Sequence, residues 1–218
     1  MGIINLAVDL FLHLDKHLGT VISNYGTLTY ILLLMIIFCE TGLVVIPFLP
    51  GDSLLFAAGA FAAIGSLKLG VLLPLLCLAA VGGDTVNYHI GRLLRHKVAG
   101  KDNLRFIKRE YLERTDEFFD RNGGKTIIIA RFVPIIRTFA PFVAGVGTMS
   151  YPRFLSYNAI GGICWVLVGT LGGFFFGNLP FIKSNFSLVI LGIVFVSVLP
   201  GVIAYVKNRY TPKKADTE

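Results

Sequence analysis

Residues 126–149 read TIIIARFVPIIRTFAPFVAGVGTM, and residues 42–64 read GLVVIPFLPGDSLLFAAGAFAAI. Both stretches are apolar enough to enter a membrane, yet neither reads as an uninterrupted span. Each holds prolines well away from its ends, Pro134 and Pro141 in one, Pro47 and Pro50 in the other. A proline in a helix interior removes a hydrogen bond and costs roughly 3 kcal/mol. Each stretch also contains charge. Broken, charged backbone at membrane depth is tolerated only where it is packed in protein or lines a watery cavity. The economical reading is two re-entrant helical hairpins, at 40–64 and 126–149, each entering and leaving by one face. The four prolines are the expected hairpin breaks.

Composition places these stretches in a membrane protein. Of the 218 residues, 55% are hydrophobic and 15% charged, and the mean hydropathy is +0.73. A soluble globular chain carries about 25% charged residues, so too few polar side chains are present to coat a water-facing surface. A disordered chain, a nucleic-acid-binding domain and a secreted disulfide scaffold are excluded on the same grounds. Cys39, Cys77 and Cys164 lie inside apolar stretches, where a thiol reads as a small buried hydrophobe. No metal-ligand spacing links them to the histidines, so neither metal nor cofactor is expected.

Four further stretches are long enough to cross a bilayer, or nearly so: 28–40, 67–92, 154–176 and 186–206. The expected fold is an all-α integral membrane protein forming a single domain over 1–218. It would have about four transmembrane helices, two oppositely oriented re-entrant hairpins and amphipathic interfacial helices. The start of the chain has no basic segment, and Asp9 and Asp15 interrupt its apolar run, so it does not read as a cleavable signal. Ile3, Ala7, Leu10, Leu14 and Leu18 recur there at helical spacing. Residues 1–24 are therefore expected to form an amphipathic helix lying in the interface.

The net charge of +7 is unevenly placed. Ten basic residues and six acids lie between Gly91 and Lys125, and the tail at 207–218 adds Lys207, Arg209, Lys213 and Lys214. Basic residues in short loops mark the cytoplasmic side. Both the basic loop at 93–125 and the C-terminus are therefore expected inside, with an even number of spans between them. The first hairpin then dips in from outside and the second from the cytoplasm, as an inverted repeat would produce. Within the loop, Leu104, Ile107, Tyr111 and Phe118 fall on one helical face. A membrane-surface helix attracted by anionic lipids is the expectation, with a protein-docking site as its alternative.

The two hairpins carry a shared pattern. The first reads Glu40, Pro47, Pro50, Asp52 and then Ala58-Gly59; the second reads Arg131, Pro134, Arg137, Pro141 and then Ala144-Gly145. Acids stand in one half and arginines in the other, so the two would attract near the midplane. A charged group at the centre of a membrane helix costs ~2.5–3.5 kcal/mol on insertion scales. Glu40, Asp52, Asp84, Arg131 and Arg137 must therefore face the protein interior and pair, or face water. They could be ion pairs that only lock the hairpins together. Buried pairs are poor stability devices, because desolvation can exceed the Coulomb gain, so a transport or ligand site is favoured.

Two helical faces complete the inventory. Gly83, Asp84, Asn87 and Gly91 share one side of the second long span, and Arg95 continues it. For Asp84, capping hairpin backbone or pairing with an arginine is as open a reading as substrate contact. His89 lies off this stripe and is assigned no role. Gly161, Trp165, Gly169, Gly173 and Gly177 recur every fourth residue on the third span. Such a face lets another helix approach closely; packing within the chain is favoured over a homodimer contact, and Trp165 reads as a packing residue.

The runs FCETGLVVIPFLPGDSLLFAAGAF (38–61), GGDTVNYHIGR (82–92) and GGKTIIIARFVPIIRTFAPFVAGVGTMSYPRF (123–154) resemble the signature segments of the DedA family. This is a bacterial group related to eukaryotic SNARE-associated, or VTT-domain, proteins. The resemblance spans nearly the whole chain. It implies a bacterial inner-membrane protein with two re-entrant hairpins, tied to lipid transport, envelope integrity and dependence on the proton-motive force. Some relatives are implicated in moving undecaprenyl phosphate and others in moving phospholipids. The family's functional acids match Glu40 and Asp52, and its functional arginines match Arg131 and Arg137, with no departure at those positions.

Taken together, these readings predict a membrane lipid transporter, or flippase, whose partners are a phosphate-bearing lipid and protons. Arg131 and Arg137 would bind the lipid phosphate, aided by helix ends whose free N–H groups favour anions. Glu40 and Asp52 would compensate the arginines in the empty site and couple protons, with Asp84 and Asn87 in support. A proton-coupled small-solute or ion transporter would use the same charges and is the main rival. A membrane enzyme acting on lipid phosphate would need a nucleophile–base pair, a metal cluster or a histidine near the hairpins. None is present in the sequence there, so no enzymatic activity is expected. A purely structural or regulatory role is the last alternative.

Overall fold

A computed structural model describes residues 14–43, 51–98, 123–147 and 149–180, with 182, 189 and 192. Seven helices are described: α1 Leu14–Tyr25, α2 Leu28–Gly42, α3 Gly51–Ala63, α4 Leu69–Val98, α5 Lys125–Ala130, α6 Pro134–Val146 and α7 Tyr151–Phe176. No strand occurs among the described residues. Pro47 and Pro50, the expected amphipathic helix before Leu14, most of the basic loop, most of the expected fourth span and the tail lie outside them.

Helix ends follow local chemistry. At the α3–α4 turn, Gly65 takes φ +81°, while the Gly65 and Ser66 amides donate back to the Ala62 and Phe61 carbonyls at 3.1 and 3.0 Å. That is a Schellman cap, which needs the left-handed backbone that glycine adopts without strain. The Lys68 amide then donates to the Tyr30 hydroxyl at 2.6 Å, tying this turn to α2.

Two of the expected spans are long and apolar enough to cross a membrane, Leu69–Arg95 in α4 and Tyr151–Phe176 in α7. The expected first span is shorter: α2 has 15 residues, about 22 Å at 1.5 Å per residue, against a hydrocarbon thickness of about 30 Å. Large apolar side chains stay exposed along the long helices, Leu78 at 72% and Val168 at 66%. In water such a surface would aggregate; in a bilayer it faces lipid.

The second interrupted stretch breaks once, over residues 131–133, between α5 and α6. Pro134 opens α6, where its missing N–H belongs to the unpaired first turn in any case. Pro141 corrects the expectation: it lies inside α6, and the helix continues to Val146. A proline interior to a helix is tolerated where neighbouring helices re-satisfy nearby backbone groups. The Thr138 carbonyl, one turn before Pro141, accepts a hydrogen bond of 2.8 Å from Asn87 Nδ2 of α4.

The short helices pack onto the long ones, α3 against α7 and α6 against α4. The two contacts are built alike. A Cβ on Gly59 would overlap the Thr170 carbonyl, and one on Gly173 the Phe56 carbonyl. On the other side, a Cβ on Gly145 would overlap the Tyr88 carbonyl, and one on Gly91 the Phe142 carbonyl. In each pair only glycine lets the two backbones meet. The adjacent Ala58 and Ala144 are both fully buried. Thus the Ala-Gly pairs that recur in the two halves of the sequence do the same packing work. The small-residue face of α7 is likewise spent inside the chain, with Gly169 against Leu55 and Gly161 against Ile128.

The core has two apolar clusters. One joins α2, α3 and α4 to Trp165 and Val166 through Leu33, Ile37, Leu55, Leu72 and Leu76. The other gathers Tyr88, Ile127, Ala144 and Phe154. Tyr88 stacks on Phe154 with centroids 4.5 Å apart and donates its hydroxyl to the Met149 carbonyl at 2.6 Å.

Candidate functional site

Five charged side chains and three uncharged ones converge where α2, α3, α4, α6 and α7 meet. α2 brings Glu40 in its last turn, and α3 brings Asp52 in its first turn, where a helix favours an acid. A Cβ on Gly51 would overlap the Glu40 carboxylate, so a larger residue there would displace Glu40 from this position. The break before α6 brings Arg131, and the first turn of α6 brings Arg137. α4 supplies Asp84 and Asn87; α7 supplies Asn158 and Trp165.

Arg137 bridges both acids of the first half. Its Nη1 donates to Asp52 Oδ1 at 2.8 Å, and its Nη2 donates to Glu40 Oε1. A planar guanidinium can serve two carboxylates at once, which a lysine ammonium does with less geometric definition. Arg131 does not join them. It pairs with Asp84 and donates to Asn158 Oδ1 at 2.9 Å, while Asn158 Nδ2 donates to the Val81 carbonyl at 3.2 Å. Asp84 thus pairs with an arginine, one of the contacts expected for it.

Trp165 lies between these two groups. Its indole N–H donates to Asp52 Oδ1 at 2.7 Å, the oxygen that also accepts from Arg137. Its ring carries both guanidinium groups, Arg137 at 4.9 Å and Arg131 at 5.3 Å from the centroid. These are cation–π distances. Asn87 sits beside the cluster and donates to the carbonyls of Thr41 at 3.3 Å and Thr138 at 2.8 Å, joining α4 to both α2 and α6. Arg95, next on that stripe, donates to the Val146 carbonyl at 2.8 Å and satisfies the C-terminal end of α6.

The electrostatics are those of a closed pocket. Glu40 is 1% exposed and Arg131 6%; the Asp52 side chain, at 26%, is the most open ion-pair member. Three carboxylates face two guanidinium groups, so the cluster is one positive charge short of neutral when every acid is ionised. Arg131 Nε and Nη2 and Glu40 Oε2 are buried with no hydrogen-bond partner among the described residues. A cavity of about 10 Å³ lies among Thr41, Asp84, Arg131, Arg137, Thr138 and Trp165, the scale of a single water molecule.

All four embedded charges expected from the hairpins therefore lie in one region, with Asp84 and Asn87 beside them. Pro134 stands at the start of α6, and Pro141 lies beyond the break. Asn158 and the polar role of Trp165 escape a reading of the sequence. Their seven-residue separation, with Gly161 and Gly162 between, does put them on one face of α7; an asparagine on a glycine-rich face is the signal that could have found them. His89 is exposed, with Nδ1 2.7 Å from the Thr85 carbonyl.

The family model of the VTT domain matches residues 49–175. Protein DedA of Escherichia coli K12 is 49% identical over 217 residues, which are 99% of each chain. An uncharacterized membrane protein of Mycobacterium tuberculosis H37Rv, Rv0364, is 47% identical over 174 residues, 79% of this chain and 76% of its own. The inner membrane protein YqjA of Escherichia coli K12 is 34% identical over 161 residues, 73% of each chain. No solved structure matches. With the domain match spanning Asp52, Asp84, Arg131 and Arg137 and a relative aligned end to end, the chain belongs to the DedA family of VTT-domain membrane proteins.

Proposed function

We propose that this protein moves a phosphate-bearing lipid, undecaprenyl phosphate or a phospholipid, across the bacterial inner membrane with proton coupling. The supporting observation is Arg137 held between Glu40 and Asp52. A guanidinium kept by carboxylates in a closed pocket is available to an anion only if those carboxylates are compensated in another way. Burial favours the neutral form of a carboxyl and a neighbouring guanidinium favours the charged form. Drawing Arg137 to a phosphate removes the second influence, and a proton takes its place. Lipid tails would remain in the bilayer throughout.

The topology proposed with this mechanism has α3 and α6 as arms of two re-entrant hairpins entering from opposite faces, with the C-terminus cytoplasmic. Each arm has 13 residues, about 20 Å of helix and too short to cross. Their matching glycine crossings on α7 and α4 fit an inverted repeat. No bond-making step is assigned to the cluster, which works as a binding and exchange site.

The test is reconstitution. Proteoliposomes carrying the wild type, R137A or R131A are compared for transbilayer movement of a fluorescent phosphatidylglycerol and of undecaprenyl phosphate, with flux of a soluble phosphate ester in parallel. Both variants should fall to the rate of protein-free liposomes. Unchanged lipid movement refutes the role of the arginines. Movement of the soluble ester alone transfers the mechanism to a small-solute carrier.

A further inference from the structure

Trp165 is the chain's single tryptophan, and it is 5% exposed in an otherwise charged pocket. A packing role needs no polar contact, yet this side chain makes three charge-directed ones. The N–H shares Asp52 Oδ1 with Arg137, and the ring carries both guanidinium groups. We propose that Trp165 is a positioning residue of the cluster: its N–H holds the Asp52 carboxylate when Arg137 is drawn to an anionic headgroup, and its ring keeps the two guanidinium groups in register. This rests on the transport reading above and assigns the acids unequal parts.

The inequality follows from what each acid keeps. When Arg137 leaves, Asp52 retains the indole donor at 2.7 Å and its partial opening to the surroundings. Glu40 loses the ion-pair partner it has among the described residues and is left with the neutral Gly51 amide, in a site where it is 1% exposed. A buried charge without a counter-charge is costly. The proton therefore goes to Glu40, and Asp52 stays ionised under the indole. The N–H and the ring face serve different partners, so they can be removed separately.

Ultraviolet resonance Raman spectroscopy reads the N–H hydrogen bond of the sole tryptophan directly, on the full chain in phosphatidylethanolamine–phosphatidylglycerol vesicles. The wild-type band should report a strongly bonded N–H, weakened in D52N and retained in R137A. A weakly bonded N–H in the wild type, no change in D52N, or loss of the bond in R137A overturns the inference. In the same vesicles, W165F keeps an aromatic face without the N–H, and W165L removes both. Movement of fluorescent phosphatidylglycerol should fall roughly tenfold or more in W165F, the scale of one hydrogen bond to a charged group. It should fall to background in W165L. Wild-type rates in W165F, or equal losses in the two variants, refute the divided role; gel filtration checks that both fold. A wild type with the bonded N–H and no lipid movement refutes the transport reading and supports the indole–Asp52 contact.

Discussion

Arg131 pairs with Asp84 of α4, not with Glu40 or Asp52, and the two side chains are 6% and 4% exposed. The two arginines thus stand in different circumstances. One is held by a long helix and by Asn158 of α7. The other bridges two acids near the ends of short helices. The Arg137–Asp52 contact is the more open, with Asp52 26% exposed, while the Arg137–Glu40 contact is buried like the Arg131–Asp84 one.

The first prediction follows from that burial. Removing one partner of a buried pair costs about 3–5 kcal/mol, because the remaining charge is left uncompensated. D84A should lower the thermal unfolding midpoint in detergent by much more than D52A, whose side chain is 26% exposed. Circular dichroism melts of the two variants give the ranking; equal midpoints would contradict it.

The close-packed glycines make a second prediction, with a control on α7. G59A and G145A each force a methyl group into a carbonyl oxygen of a neighbouring helix. They should destabilise the protein by about 1–3 kcal/mol, the cost of overpacking. Gly172 has nothing within 4 Å of its would-be Cβ, so G172A should be neutral or stabilising by up to about 1 kcal/mol from helix propensity. Melting of all three variants in one detergent checks the contrast.

Asn87 supplies the third. It is fully buried and gives its amide hydrogens to carbonyls on both α2 and α6. N87A removes both hydrogen bonds, at about 0.5–1.5 kcal/mol for each bond lost. Hydrogen exchange followed by mass spectrometry should quicken over residues 36–43 and 134–146 and stay unchanged over 69–80. Uniform quickening along the chain would mean general destabilisation instead of a lost clamp.

Much of this architecture can be read from short segments. The two long helices follow from apolar length. The interruption before α6 follows from Pro134, and the close helix crossings follow from Ala58-Gly59 and Ala144-Gly145. The need of Glu40, Asp52, Arg131 and Arg137 for partners follows from the cost of charge in hydrocarbon. Pro141 shows where this reasoning overreaches. A local penalty of roughly 3 kcal/mol predicts a break there, but α6 continues to Val146, packed along α4, whose Asn87 donates to the neighbouring Thr138 carbonyl.

Which charge meets which was decided only by the tertiary structure. Arg131 and Asp84 are 47 positions apart, Arg137 and Asp52 85, and Arg137 and Glu40 97. An embedded arginine demands a carboxylate, yet nothing within its own segment selects one among three. The selection comes from how α6 lies on α4 and α3 on α7, and those crossings also turn Asn158 and Trp165 towards the charges. Sequence alone thus declared that the charges must be satisfied, because desolvation is a property of each group by itself. Partnership is a property of distance, and distance is set by packing.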